Sequence, residues 1–212
     1  MQMSLIKGNV KKYILCTFII LSILFNGNIE ASAATSDNKP SEVHNIASSL
    51  LNSTSPQYKF IGTVLEGAVK NYDIYKIYPS VTIAQAILES GWGKSDKAIK
   101  YNNLFGVKAD KSWQGKTVRL SSKEWIGGRM ISITSTWRVY NSLKDSIIDH
   151  GKFLYTRPWY ANAGVFKAKN YVEQITAIKK GGYCTDPNYV SKVCRIINQY
   201  NLWKYDSNGK RA

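Results

Sequence analysis

Apolar residues recur at two different periods along this chain, and the switch between them outlines the fold. From Phe60 to Val69 the apolar positions fall at helical spacing. A second helix follows, with Ile83, Ala84, Ile87 and Leu88 on one face, Ser80 as its cap and Gly91 as its stop. The character then changes. Thr117 to Leu120, Trp125-Ile126 and Met130 to Thr134 are rich in β-branched and aromatic residues and alternate in part. Gly127-Gly128 between two of these runs signals a hairpin, and Trp137 to Tyr140 is a candidate third strand. Helical spacing resumes at Ile147, Ile148, Phe153 and Leu154, behind a Ser142 and Asp145 capping pair. Tyr171 to Ile178 makes another helix that ends at Gly181-Gly182. The last helix starts with Thr185 or Asp186 at the cap and Pro187 in its first turn, and buries Val190, Val193, Cys194 and Ile197. The pattern predicts an α+β domain: a mainly helical body with a small antiparallel β-hairpin lobe.

The first residues follow another logic. Lys7, Lys11 and Lys12 precede an uncharged, mostly apolar run from Tyr13 to Phe25, and Ala31-Ser32-Ala33 follows. A basic start, a short apolar core and a small-x-small site make a secretory signal peptide over 1–33. The apolar run is shorter than the ~20 residues that span a bilayer. Residues 34–55 are polar and small and read as a linker, with one helical stretch around Ile46, Leu50 and Leu51. The folded domain is expected over 56–206, with a short tail at 207–212.

Composition sharpens this picture. Hydrophobic residues make up 44% and charged residues 20% of the 212, which is ordinary globular usage and excludes wholesale disorder. The formal charge is +15; cleavage after Ala33 removes Lys7, Lys11, Lys12 and Glu30, a net +2, and leaves +13. Such a surface suits anionic partners. With His44 and His150 as the only histidines, a multi-histidine metal site is excluded, and no metal or cofactor is called for. Cys16 lies in the signal segment. Cys184 and Cys194 fall at or inside one predicted helix, about 15 Å apart at the helical rise, too far for a disulfide.

Elimination narrows the chemistry. The chain has no H-E-x-x-H, no C-x-x-C and no G-x-S-x-G. Gly93-Lys94-Ser95 imitates the end of a phosphate-binding loop, but Leu88 stands where the earlier glycine is required. Cys184 with His150 could be offered as a thiol nucleophile and its base; a packed cysteine is the commoner case. Past residue 33 the glutamates are Glu42, Glu66, Glu89, Glu124 and Glu173. Glu89 ends an apolar helix beside Ser90-Gly91-Trp92-Gly93. The negative helix end and the apolar neighbours disfavour its charged form, which suits a general acid; the alternative is a glutamate that faces solvent. Glu124 lies in the β insertion: taken alone it reads as a surface strand residue, and taken with Glu89 it makes the carboxylate pair expected of a glycosidase.

Four ordered blocks then carry a resemblance. They are Ala86-Ile-Leu-Glu-Ser-Gly-Trp-Gly-Lys-Ser95, Asn102-Asn-Leu-Phe-Gly-Val-Lys108, Trp137-Arg-Val-Tyr140 and Gly182-Tyr-Cys-Thr-Asp-Pro-Asn-Tyr189. Over roughly 58–206 the chain resembles the glucosaminidase family of bacterial cell-wall hydrolases, glycoside hydrolase family 73, which also includes the flagellar peptidoglycan hydrolase domain. The resemblance implies a lysozyme-like fold and an endo-β-N-acetylglucosaminidase. Such an enzyme cleaves the β-1,4 bond between N-acetylglucosamine and N-acetylmuramic acid and leaves N-acetylglucosamine at the new reducing end. It places the catalytic acid on Glu89, the second carboxylate on Glu124 and the tyrosine of the last block on Tyr183, with Cys184 where the family carries alanine. The resemblance leaves two schemes: the second carboxylate acts as a base for water, or the substrate's own acetamido group attacks with the tyrosine or the carboxylate assisting.

Sugars have apolar faces and hydroxyl rims, so aromatics with polar neighbours suit them. Trp92, Phe105, Trp125, Tyr140 and Tyr189 are candidates, with Phe105 at least partly core. Asn103 either bonds an N-acetyl group or makes a turn, and Arg138 either reaches the cleft or sits on a strand face. The implied partners are peptidoglycan strands and anionic wall polymers. Nucleic acid is not expected, nor a membrane anchor after signal cleavage, nor more than a monomer. The implied location is outside the cell, at the wall. The alternatives are a muramidase or lytic transglycosylase on the same fold, and a non-catalytic basic wall-binding protein.

Overall fold

A computed structural model describes residues 40–126 and 129–206, and the side chains of 42–121 and 131–206. The signal segment, the start of the expected linker, the hairpin glycines Gly127-Gly128 and the tail lie outside the described residues, as do the side chains of Glu124 and Trp125.

The helices are α1 (Pro40–Leu51), α2 (Pro56–Tyr75), α3 (Pro79–Ser90), α4 (Asp96–Tyr101), α5 (Leu143–Tyr155), α6 (Pro158–Ala163), α7 (Tyr171–Lys180) and α8 (Tyr189–Gln199). Short 3-10 turns occupy Val165–Lys167 and Leu202–Tyr205. Local chemistry explains many of the ends. Pro56, Pro79 and Pro158 sit in the first turns of α2, α3 and α6, where a missing N–H costs nothing. Ser142 caps α5 by accepting the Asp145 N–H at 3.1 Å, and Asn170 caps α7 by accepting that of Glu173 at 2.9 Å. Gly91 ends α3 in the left-handed region at φ 56°.

Two of the expected boundaries move. Ser80 is not the cap of α3 but lies inside its first turn, where Asp206 takes both its N–H and its hydroxyl. The last helix begins at Tyr189 instead of Pro187, because Asp186 first makes a turn of its own, accepting the Asn188 N–H at 2.9 Å.

Helix α3 is the centre of the body. Val81, Ile83, Ala84, Ala86 and Ile87 are all buried, against α2, α7, α8 and the C-terminal 3-10 turn. Helix α1 belongs to this packing: Val43 and Ala47 are buried, and a Cβ at Gly62 of α2 would come within 2.9 Å of the Ala47 carbonyl oxygen. The packed body therefore takes in the helical part of the expected linker. Among the described residues, no helix is long and apolar enough to cross a membrane.

Between the helices stands the hairpin. Strands β1 (Thr117–Ile126) and β2 (Arg129–Arg138) pair antiparallel in register from Thr117 opposite Arg138 to Ile126 opposite Arg129. The candidate third strand is corrected: Trp137 and Arg138 are the end of β2, not a separate element. The hairpin base is anchored there. Trp137 is buried, Lys108 bridges to it, and the Lys97 ammonium lies 4.0 Å from a Trp137 ring centroid.

Candidate active site

The apolar run of α3 holds the helix inside the body, yet its last turn reaches the surface. Glu89 is there, partly exposed, directly after buried Ile87 and half-buried Leu88. The chain then leaves the helix through Gly91, Trp92 and Gly93, all at positive φ (56, 63 and 73°). Trp92 lacks glycine's freedom in this region, so the exit is strained and must be held. Ser90 holds it: its hydroxyl donates to Ala86 O at 2.6 Å and accepts the Gly93 N–H at 2.7 Å. The Trp92 ring packs edge-on to Phe60 and Tyr200, with centroids 5.8 and 5.0 Å away.

A buried polar chain supports the carboxylate. The Gln85 amide Nε2 donates to the Tyr189 hydroxyl at 2.9 Å, and that hydroxyl donates to Glu89 Oε1 at 3.0 Å. Both Gln85 and Tyr189 are fully buried. Tyr183 packs on Tyr189, ring centroids 5.8 Å apart, and is also fully buried. Tyr183 meets His150 edge-on at 6.0 Å, and His150 stacks on Phe105 at 4.0 Å with 15° between the planes. Complete burial drives the His150 pKa down to about 3, so the ring is neutral. Neither ring nitrogen has a hydrogen-bond partner among the described residues.

Glu89, Tyr189 and Tyr183 are thus brought together from the end of α3, the start of α8 and the loop that joins α7 to α8. Trp92 stands beside them, past the end of α3. Glu124 and Trp125 are carried on β1, opposite Ile131 and Met130 in the ladder.

Several expected contacts are corrected. Asn103 is buried away from any sugar, and its amide donates both hydrogens inward, to Val107 O at 3.0 Å and Arg138 O at 2.9 Å, while its oxygen accepts the Val107 N–H at 2.9 Å. Phe105 is fully covered by the body and by His150. Tyr140 is buried, and its hydroxyl donates to Asp149 Oδ2 at 2.7 Å. Tyr189 is a hydrogen-bond partner of Glu89 and has no open face for a sugar. Arg138 is held in an ion-pair cluster at the hairpin base: its guanidinium is buried against Asp149 at 2.7 Å, with Asp110 at 3.6 Å and the Trp113 ring at 4.7 Å. No disulfide joins Cys184 to Cys194. The Cys184 sulfur accepts the Asp186 N–H, and His150 makes no bond to it, so the two are not a nucleophile and base.

The sequence reading missed Gln85 as part of this site. One signal was available: a buried amide in an apolar helix, one turn before Glu89 and on the same face.

Residues 65–202 match the Glucosaminidase family, described as mannosyl-glycoprotein endo-beta-N-acetylglucosaminidase. The chain is 36% identical over 194 residues to Exo-glucosaminidase LytG of Bacillus subtilis, covering 89% of this chain and 67% of that one. It is 39% identical over 171 residues to a probable N-acetylmuramidase of Lactococcus lactis, covering 74% of this chain but only 38% of that one. The catalytic domain of the autolysin Auto from Listeria monocytogenes superposes with a TM-score of 0.64 at 34% identity, over 76% of this chain and 94% of that one. A glycoside hydrolase domain of Salmonella typhimurium FlgJ gives 0.57 at 29% identity, over 69% and 98%. The lysozyme-like α+β architecture is common to these domains. On sequence and fold together, the chain belongs to the glucosaminidase family of glycoside hydrolases.

Proposed function

We propose that this chain is an exported peptidoglycan hydrolase, an endo-β-N-acetylglucosaminidase that cleaves the β-1,4 bond between N-acetylglucosamine and N-acetylmuramic acid. The observation that carries this reading is Glu89. It is a partly exposed carboxyl at the end of a buried helix, with one oxygen held by a buried phenol. Glu89 protonates the glycosidic oxygen as the bond breaks. Glu124, brought over by β1, activates water or steadies the charge at the sugar ring. Trp92 and Trp125 offer apolar ring faces to the sugar. Tyr183, packed on Tyr189, completes the catalytic group.

Residues 1–33 direct export and are removed. The remaining positive charge holds the protein near peptide carboxylates and anionic wall polymers, and salt releases it.

The relatives' names divide between a glucosaminidase and a muramidase, so the bond itself is the point to test. Purified peptidoglycan is digested, reduced with borohydride and analysed by mass. N-acetylglucosaminitol at the new ends supports the proposal. N-acetylmuramitol assigns a muramidase, anhydro-muramic ends assign a transglycosylase, and wall retention with no release of fragments leaves only a binding protein.

A further inference from the structure

We propose that Gln85 and Tyr189 form a positioning relay that fixes which oxygen of Glu89 carries the transferable proton. This rests on the reading of Glu89 as the general acid. A phenol has one proton to give. Gln85 Nε2 donates to the Tyr189 oxygen at 2.9 Å, so that proton cannot point back at the amide. It points at Glu89 Oε1, 3.0 Å away. An oxygen that accepts this bond does not also present the acid's own hydrogen along the same line. The acidic proton is therefore held on Oε2, and Oε1 is the oxygen prepared for negative charge.

The relay is rigid for three reasons. Gln85 lies one turn before Glu89 on the same face of α3, so its amide and the carboxyl keep a fixed spacing. Tyr189 is the first residue of α8, so the hydroxyl is positioned by the packing of α8 on α3. Gln85 and Tyr189 are fully buried, so water does not compete for these bonds. The chemical consequence is direct. When Glu89 gives up its proton, the phenol donor stabilises the carboxylate that forms, in a dry setting where such a bond is strong. Neither residue touches the sugar, and both act through Glu89.

The test is a double-mutant cycle on the mature protein, with kcat, KM and the pH–rate profile of peptidoglycan hydrolysis as readouts. Tyr189→Phe keeps the ring and removes the donor. It is expected to lower kcat about tenfold or more, leave KM within about twofold, and move the high-pH limb of the profile upward. Gln85→Leu is expected to act in the same direction. The double variant removes both polar partners from the interior, so folding is preserved, and its kcat should match Tyr189→Phe alone because both changes break one relay. Gln85→Glu turns the phenol proton away from Glu89 and should raise the limb further. Four results would overturn the relay: an unshifted limb in folded Tyr189→Phe, a change in KM alone, additive losses in the double variant, or a wild-type profile for Gln85→Glu. The underlying reading has its own control. If Glu89→Gln stays active, the acid assignment fails; if it is inactive while the relay variants behave as wild type, only the relay fails.

Discussion

Ser80 gives Asp206 both of its donors, the hydroxyl to Oδ2 at 2.6 Å and the backbone N–H to Oδ1 at 2.9 Å. The clasp joins the end of the last 3-10 turn to the first turn of α3, and Asp206 is buried within it. Burial raises the Asp206 pKa from 3.8 to about 7, outweighing the two Ser80 bonds that lower it. Between about pH 4 and about pH 7 the folded chain thus holds a proton that the unfolded chain has released. The contribution of Asp206 to stability therefore falls as pH rises through that window. Asp206→Asn keeps the shape and an acceptor for the Ser80 N–H but does not titrate. Its melting temperature, followed across the same range, should lack the Asp206 contribution and so diverge upward from that of the wild type as pH rises; a curve parallel to that of the wild type would refute the assignment.

His150 works in the opposite sense. Its pKa is depressed from 6.5 to about 3 by burial alone. Between those values the unfolded chain binds a proton that the folded chain excludes, so stability rises with pH. The two slopes oppose each other from about pH 4 to about pH 6.5. The wild type should therefore change little there. Asp206→Asn should uncover a rise, and His150→Phe should uncover a fall. Two single variants that both track the wild-type curve would show that neither group is displaced as stated.

How much of this was legible in the sequence depends on how far away each residue's partner lies. Gly91 and Ser142 were readable because their roles are settled within four residues of chain. Ser80 was misread because its partner is 126 residues away. Trp137 and Arg138 looked like a new strand because the polar stretch before them breaks the apolar pattern; in the structure a continuous ladder runs through that stretch. Glu89 stood out through the scarcity of carboxylates. The residues behind it did not. An aromatic that packs beneath a cleft and one that lines it look alike in sequence, which is why Phe105, Tyr140 and Tyr189 were assigned to the sugar.

Asn103 separates those two roles experimentally. Its amide closes the 103–107 loop through two bonds to Val107 and ties that loop to the base of the hairpin through one, to Arg138 O. Asn103→Ala leaves their partners without it in the interior, a loss of about 3 kcal/mol in unfolding free energy. KM for peptidoglycan should stay within about twofold at a temperature where the variant is folded. A stable variant with weakened substrate binding would restore Asn103 as a sugar contact.

The Arg138 cluster is the costliest place to cut. Asp149 Oδ2 accepts both from the Arg138 guanidinium and from the Tyr140 hydroxyl, each at 2.7 Å. Burial of the phenol, and after it the Asp149 carboxylate, hold the Tyr140 pKa well above the usual tyrosine value. Asp149→Ala takes the close partner from a buried cation and leaves it Asp110 alone, at 3.6 Å, a loss of about 3 kcal/mol of stability in urea titrations. Adding Arg138→Met should recover part of that loss, because the poorly compensated charge goes with it. Recovery of nothing would mean that the aspartate contributes through packing and not through its charge.

Glu89→Gln is the sharpest test of the acid, because the relay beneath it makes the substitution conservative. The glutamine oxygen can still accept from the Tyr189 hydroxyl, so the bond that positions the side chain survives. The amide differs from the acid in the one respect that matters: it has no acidic proton to give to the leaving oxygen. General acid catalysis contributes about 10²–10⁴ in rate. Hydrolysis of purified peptidoglycan should fall by that factor, with an unchanged melting temperature and unchanged retention on wall fragments. Loss of retention would point to damage beyond the proton, and turnover within about tenfold of the wild type would remove Glu89 from the acid role.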